Sequence, residues 1–373
     1  MNIFVDAYLY NNLGDDLFFD NLIKRYPRHK FYAVSDYYKS KKYKNIKIYK
    51  SKITDKIMNT DRFKEKLILK DVDAVIGLGG SLYMNDFDKL SDIEEVYANK
   101  DFFLLNTNFG IADTEKYYKR YYDFFRKAKD VCFRDKYSYG LFKSLPYVRS
   151  ASDMLFDIDP KYISVTNRKK VIIAVLSPNY KFGELQSIYE TKILQFIKFF
   201  KIQGYDVTLM SFCKQQGDEK AIESILVKTD EEVETYYYRG DIDEALEILG
   251  SSNVIVGSRL HANILGMALG KTIIPIVYDK KIANILRDIG FEGLMIDMYD
   301  IANFKVSSLT YENLNYVCDV NKARYDAKNQ FKVLDEYLLD IRDKKGMIDN
   351  TIFFKEEERR RTEEEKENLN VKY

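Results

Sequence analysis

Several short stretches of this sequence combine charged residues, hydrogen-bonding residues and glycines at spacings that suit chemistry on an anion. The most informative is Gly257-Ser258-Arg259-Leu260-His261-Ala262. Arg259 offers a planar fork of N–H donors matched to a carboxylate or phosphate. His261, two residues on, can take or give a proton near neutral pH. The chain has only two histidines, and the other, His29, sits in the polar stretch Tyr26–Phe31, of surface character. His261 is equally compatible with a histidine satisfied inside the fold. Further on, Tyr278 and the pair Lys280-Lys281 follow an apolar run. In Arg134-Asp135-Lys136-Tyr137-Ser138 an arginine and an aspartate adjoin, which alone also fits a surface ion pair of little energetic weight.

Two glycine-containing stretches complete the set. In Asn11-Asn12-Leu13-Gly14-Asp15-Asp16, Gly14 suits a sharp turn and either aspartate could cap a helix. In Gly77-Leu78-Gly79-Gly80-Ser81, glycines allow backbone N–H groups close to an anion. That spacing matches neither GxGxxG nor the P-loop pattern, and an unliganded tight turn fits it as well.

All these stretches fall at the ends of apolar runs that read as buried strands. Ile3–Tyr8 predicts a strand, Asn11–Asp16 a polar turn, and Leu17–Tyr26 a helix stopped by Pro27. Strands follow at 31–35, 45–49, 73–78, 102–106 and 131–133, with helices at 115–128 and 137–145. The pattern loosens between Pro146 and Arg168. It restarts at Lys170–Leu176 with a helix near 184–203, a strand at 206–211, helices at 218–228 and 242–249, and a strand at 253–256. A helix then runs to about Leu269, and a strand occupies 272–277. This grammar predicts an α/β protein of two Rossmann-like domains around a central cleft. The expected divisions are 1–165, 166–345 and a charged tail at 346–373.

Ligands of such sheets bind beyond the carboxyl ends of the strands. Arg259, His261 and a lysine at 280 or 281 are therefore expected at one rim, where converging cations imply an anionic small molecule. Composition narrows the class further. In 373 residues, 59 Lys+Arg offset 58 Asp+Glu, which gives no basic excess for nucleic acid. Three widely spaced cysteines fit reduced thiols. No run of about 18 apolar residues suggests a membrane span, and the start lacks signal-peptide character, so a cytoplasmic location is expected. No HxxH, HExxH or carboxylate cluster calls for a metal. The 31 tyrosines have no evident functional reading at this level.

Read in order, these pieces resemble the polysaccharide pyruvyl transferase family. Asn12-x-Gly14-Asp15, IGLGGSLY at 76–83, FRDKYSYGLFKSL at 133–145, SASDMLFDID at 150–159 and the block 257–291 occur in the family's order. The likeness spans roughly residues 1–300, and the 257–291 block, with Ser-Arg-Leu-His-Ala and Tyr-x-x-Lys, is its most specific part. Where a glycine-rich run often precedes Asn-x-Gly-Asp, this chain has Tyr8-Leu9-Tyr10.

The resemblance implies a GT-B-like fold and phosphoenolpyruvate as co-substrate, with no other cofactor. It also implies transfer of pyruvate as a ketal onto a sugar of a surface polysaccharide or its lipid-linked precursor. On that reading Arg259, Lys281, Arg134 and Ser258 hold the donor, with Lys281 favoured over Lys280 by the Tyr-x-x-Lys spacing. His261 carries the proton and Asp15 serves as base. Asn12, Gly14, Gly79 and Gly80 face the acceptor. A lipid-linked acceptor would bring the chain to the inner face of the membrane. Two other readings stay open: a GT-B nucleotide-sugar glycosyltransferase, and a non-catalytic anion-binding scaffold of polysaccharide assembly.

Overall fold

The computed structural model describes residues 1–38, 43–50, 69–79, 94, 97, 99–110, 115–164, 168–178 and 183–339. Residues Met1–Gln330 form one compact unit containing two parallel sheets; Phe331–Tyr373 forms another, in which a helix covers Lys332–Leu338.

Seven strands build the first sheet: β1 (Asn2–Ala7), β2 (Lys30–Val34), β3 (Ile46–Tyr49), β4 (Ala74–Leu78), β5 (Asp101–Thr107), β6 (Asp130–Phe133) and β7 (Val148–Ser150). Their order is β3-β2-β1-β4-β5-β6-β7 and every pair is parallel. Six strands build the second: β8 (Lys170–Val175), β9 (Asp206–Ser211), β10 (Glu234–Tyr237), β11 (Val254–Gly257), β12 (Thr272–Val277) and β13 (Ile296–Asp297). Their order, β10-β9-β8-β11-β12-β13, repeats the same 3-2-1-4-5-6 winding. Each sheet thus reverses direction once, between β1 and β4 in the first and between β8 and β11 in the second. Ligands of doubly wound sheets bind at such reversals.

Eight helices matter below: α1 (Leu13–Arg25), α2 (Glu115–Phe125), α3 (Lys136–Phe142), α4 (Gln186–Ile202), α5 (Asp218–Leu226), α6 (Ile242–Gly250), α7 (Leu260–Ala268) and α8 (Lys280–Asp288). The central strands are buried on both faces, and this explains their unbroken apolar runs. The two cores differ in composition. Phe102, Phe109, Tyr117, Tyr121, Phe124, Phe125, Phe133 and Phe142 dominate the first, whereas Val, Ile and Leu dominate the second. Part of the tyrosine excess is therefore core material.

The structure departs from the sequence expectations at several ends. The first helix starts at Leu13 rather than Leu17, because the Asn12 side chain caps it by accepting from the Gly14 N–H at 3.2 Å. The polar residues read as a turn are its first turn. Helix α2 stops at Phe125. The loosened region after Pro146 contains β7, whose three residues are too few to show a period. The edge strands β10 and β13 were not expected for the same reason. The charged tail at 346–373 lies outside the described residues.

Candidate active site

The carboxyl ends of the two sheets supply one cluster of side chains. From the first sheet comes Arg134, the residue after β6, whose backbone N–H donates to Thr107 O at 2.9 Å. Its guanidinium is almost wholly buried. Nη1 donates to Asp153 Oδ2 at 2.9 Å and Nη2 donates to Asn108 Oδ1 at 3.0 Å. Nε has no partner among the described residues. Asp153 is held in turn by Asn106 Nδ2 at 3.2 Å and by the Leu155 N–H at 3.0 Å. Asn106 reaches it from a left-handed backbone conformation, φ 56°, which asparagine tolerates better than most residues. The sequence neighbour Asp135 is not the partner of Arg134. It caps α3, accepting from Ser138 N at 2.7 Å and Ser138 Oγ at 2.9 Å.

From the second sheet comes Arg259, just after β11 and likewise buried. It lies against Asp218 with both ends of its fork: Nε donates to Oδ2 at 3.1 Å and Nη2 donates to Oδ1, while Nη1 donates to Gln216 Oε1. These bonds account for three of its five N–H groups. Asp218 also accepts from the Phe212 and Cys213 amides at 3.1 and 2.9 Å. Ser258 does not reach the rim. It is fully buried one residue past β11, and its hydroxyl bonds Tyr189 OH at 2.9 Å.

His261 joins the two sides. Its Nε2 is 3.4 Å from Arg134 Nη1; since arginine can only donate, this long contact uses the imidazole lone pair and leaves the proton on Nδ1. The ring lies edge-on to Phe18, with centroids 5.1 Å apart. Its other side rests on Gly14, where any Cβ would overlap the imidazole around Nδ1. The turn role expected for Gly14 is therefore replaced. The residue sits inside α1, and what matters is the side chain it lacks. The chain also crosses between sheets here, as the Leu13 N–H donates to Phe212 O at 3.1 Å beside an Asn12–Cys213 bridge.

Lys281 is half-buried at the start of α8, 3.9 Å from Asp279, while Lys280 is exposed. Gly79, at the end of β4 with φ 110°, lies against the Asp15 carboxylate. Gly80 lies outside the described residues.

Electrostatics sets Asp15 and His261 apart. Burial pushes the Asp15 carboxyl up to about 7; Arg134 and Lys281 oppose that rise, Asp153 adds to it, and Arg259 opposes it more weakly. Burial lowers the His261 imidazole well below the usual histidine value, helped by Arg134, then Lys281, then Arg259. At neutral pH the histidine is neutral and the carboxyl is poised between its two forms. Next to Asp15, the buried Asp16 is driven well above the carboxylate range by burial, although Tyr238 OH donates to it at 2.9 Å.

The sequence model of the polysaccharide pyruvyl transferase family matches residues 12–280. The chain belongs to this family. Its fold is shared with solved GT-B-like proteins of low identity. UDP-GlcNAc 2-epimerase from Neisseria meningitidis, bound to UDP-GlcNAc, is 11% identical with a TM-score of 0.60, over 91% of this chain and 98% of its own. A UDP-N-acetylglucosamine 2-epimerase homologue from Listeria monocytogenes is 8% identical, TM-score 0.55, over 90% and 96%. HepE from Anabaena, in complex with UDP and glucose, is 11% identical, TM-score 0.52, over 89% and 96%. At such identities the likeness concerns fold alone.

The arrangement sets a buried carboxyl, Asp15, and a buried imidazole, His261, under the influence of the same cations, Arg134, Lys281 and Arg259. Asp15, Arg134, His261 and Lys281 come from four distant segments, and each lay in a stretch the sequence singled out. The residues that orient the two arginines, Asn106, Asn108 and Asp153 for Arg134 and Gln216 and Asp218 for Arg259, were missed as site residues. Asp153 left a trace as the first aspartate of SASDMLFDID, and Asn106 and Asn108 as part of the polar segment 106–110 that ends a strand. Among the described residues, no group of three or more His, Cys, Asp and Glu side chains could share a metal ion, and no helix is long and apolar enough to cross a membrane.

Proposed function

We propose that this family member moves pyruvate from phosphoenolpyruvate onto two hydroxyls of one sugar, on a surface polysaccharide or its lipid-linked precursor. The observation that carries the reading is the contact of Arg134 with His261, seated on Gly14 and flanked by Asp15 and Lys281. Phosphoenolpyruvate carries a phosphate and a carboxylate on one small enol, and Arg134, Lys281 and the remaining N–H groups of Arg259 are cations suited to both.

Proton transfer to C3 of the enol makes C2 electrophilic. One sugar hydroxyl adds to C2 and loses its proton; the C2–O bond to phosphate breaks and inorganic phosphate leaves. The second hydroxyl then adds to C2 and closes the ketal, and its proton leaves with the inorganic phosphate. The chemistry needs one acid and one base of matched strength. The separation of Asp15 and His261 favours Asp15, in its neutral form, as the acid and His261 as the base, the reverse of the roles expected from residue type. An anionic donor would strengthen this assignment. It would keep Asp15 protonated and draw the histidine up toward working pH. The loops of residues 166–345 then serve the donor through Arg259 and Lys281, and those of 1–165 serve the sugar while also lending Arg134 and Asp15 to the donor. A lipid-linked acceptor would place the reaction at the cytoplasmic face of a membrane.

The test is thermal unfolding with phosphoenolpyruvate, UDP-sugars and inorganic phosphate, since a ligand of the folded state raises stability. Stabilisation by phosphoenolpyruvate, lost in Lys281→Ala, with phosphate released only when a sugar diol is supplied, is the expected result. Stabilisation by a UDP-sugar alone would replace this reading with glycosyl transfer. Equal stabilisation by phosphate and phosphoenolpyruvate with no turnover would make the chain an anion-binding scaffold.

A further inference from the structure

The segment between β1 and α1 carries a feature that the donor chemistry does not use. Tyr8, Tyr10 and Tyr37 form a run of rings: Tyr8 and Tyr10 are stacked at 4.6 Å and 27°, and Tyr10 meets Tyr37 at 5.1 Å and 35°. Tyr10 is 44% exposed, against 1% for Leu9 beside it. The segment is well anchored. Leu9 is buried, its carbonyl accepts from Ser35 Oγ, and that oxygen accepts the Tyr37 and Tyr38 amides at 3.1 and 3.0 Å. Asn11 follows in a left-handed conformation, φ 52°, and Asn12 caps the helix that carries Asp15. Gln216 ties the stack to the second sheet, donating to Tyr8 OH at 3.5 Å while accepting from Arg259.

We infer that this tyrosine stack is the platform for the acceptor sugar, an inference that rests on the proposed pyruvyl transfer. Charge separates the two subsites. The cations gather around His261 and Lys281 and suit the donor, whereas the stack offers neutral ring surface edged by hydroxyls. A pyranose has the complementary build, with a patch of ring C–H groups bordered by hydroxyls, and aromatic rings with polar tips suit such half-apolar surfaces. Tyr10 lies two residues before Asn12, whose side chain caps the helix that carries Asp15, so the platform and Asp15 belong to one short anchored segment.

The chain contains no tryptophan, and Tyr10→Trp therefore places a single tryptophan on the platform, whose emission is read by red-edge excitation that the tyrosines do not absorb. Titration of that variant with methyl β-galactoside, methyl β-glucoside and methyl β-mannoside should give a saturable emission change that depends on the epimer. With the sugar that responds, Tyr10→Ala should raise acceptor KM about tenfold, leave KM for phosphoenolpyruvate unchanged, and be rescued by Tyr10→Phe. No emission change with any of the three sugars, or an unchanged acceptor KM in Tyr10→Ala, overturns the platform. If phosphoenolpyruvate still stabilises the protein in that case, donor binding survives alone. If the sugars bind while phosphoenolpyruvate does not, pyruvyl transfer fails and the sugar platform stands.

Discussion

Arg134 and Arg259 carry the same sequence signature, an arginine at the end of a buried strand just before a helix, yet they are held differently. Arg259 meets its carboxylate with Nε and Nη2 together, so Asp218 fixes the plane of the guanidinium and neutralises much of its charge. Arg134 meets Asp153 through Nη1 only, shares its other end with a neutral amide, and leaves Nε without a partner among the described residues while Nη1 reaches His261. One arginine is built into its own sheet, and the other is built toward the partner sheet. Residue type and position in a motif do not separate these cases; the carboxylate that answers each arginine does.

The widest separation should come from removing each cation. Arg134→Ala and Arg259→Ala each leave a buried carboxylate that keeps two other donors, so each should lose about 3–5 kcal/mol of stability, measured by urea unfolding. Arg134→Ala should also lower turnover in phosphate-release assays more than Arg259→Ala does. Equal turnover in the two variants would erase the distinction drawn here.

Gly14→Ala tests the surface on which the two sides meet. Its Cβ overlaps His261, and such overpacking typically costs about 1–3 kcal/mol. In a His261→Ala background the cost should largely vanish, a coupling that thermal unfolding of the double-mutant cycle would read directly.

A smaller effect concerns titration. With only two histidines in the chain, His29→Gln leaves one imidazole to follow by NMR. Its pKa should rise in Arg134→Ala and rise less in Arg259→Ala, in the order of their influence. A separate effect concerns pH-dependent stability. The folded protein holds a proton on Asp15 up to about 7 that the unfolded chain releases near 3.8. Raising the pH through that window therefore costs folded stability. Asp15→Asn should gain on wild type from about pH 4 to about pH 7 and level off above. The histidine has the opposite sign. Because its folded value is lowered, its contribution to wild-type stability falls away as the pH drops below the ordinary histidine range.

Much of the fold was legible because fully buried parallel strands write themselves as apolar runs, and AVIGL, KVIIAV and VIVG are such runs. The three-residue β7 and the partly exposed β10 and β13 carry no comparable signal. The site divides in the same way. Asp15, Arg134, His261 and Lys281 announce themselves by type at strand ends. The carboxylates that orient the two arginines lie far off in sequence, 19 residues from Arg134 to Asp153 and 41 from Arg259 to Asp218, and only the tertiary fold brings them together. Ser258 shows the converse hazard, because the residue preceding Arg259 points into the core and shares the motif without sharing the site.

The fit of His261 over Gly14 constrains how such a protein can be recombined. A chimera that kept residues 1–165 and took its second half from a chain with a small residue at the histidine position would leave a hole above Gly14. One that kept the histidine but received an alanine in place of the glycine would meet a collision. The two halves are therefore not interchangeable modules. They form a matched lock whose two pins are written more than 240 residues apart, and exchange across the family should succeed only when both travel together.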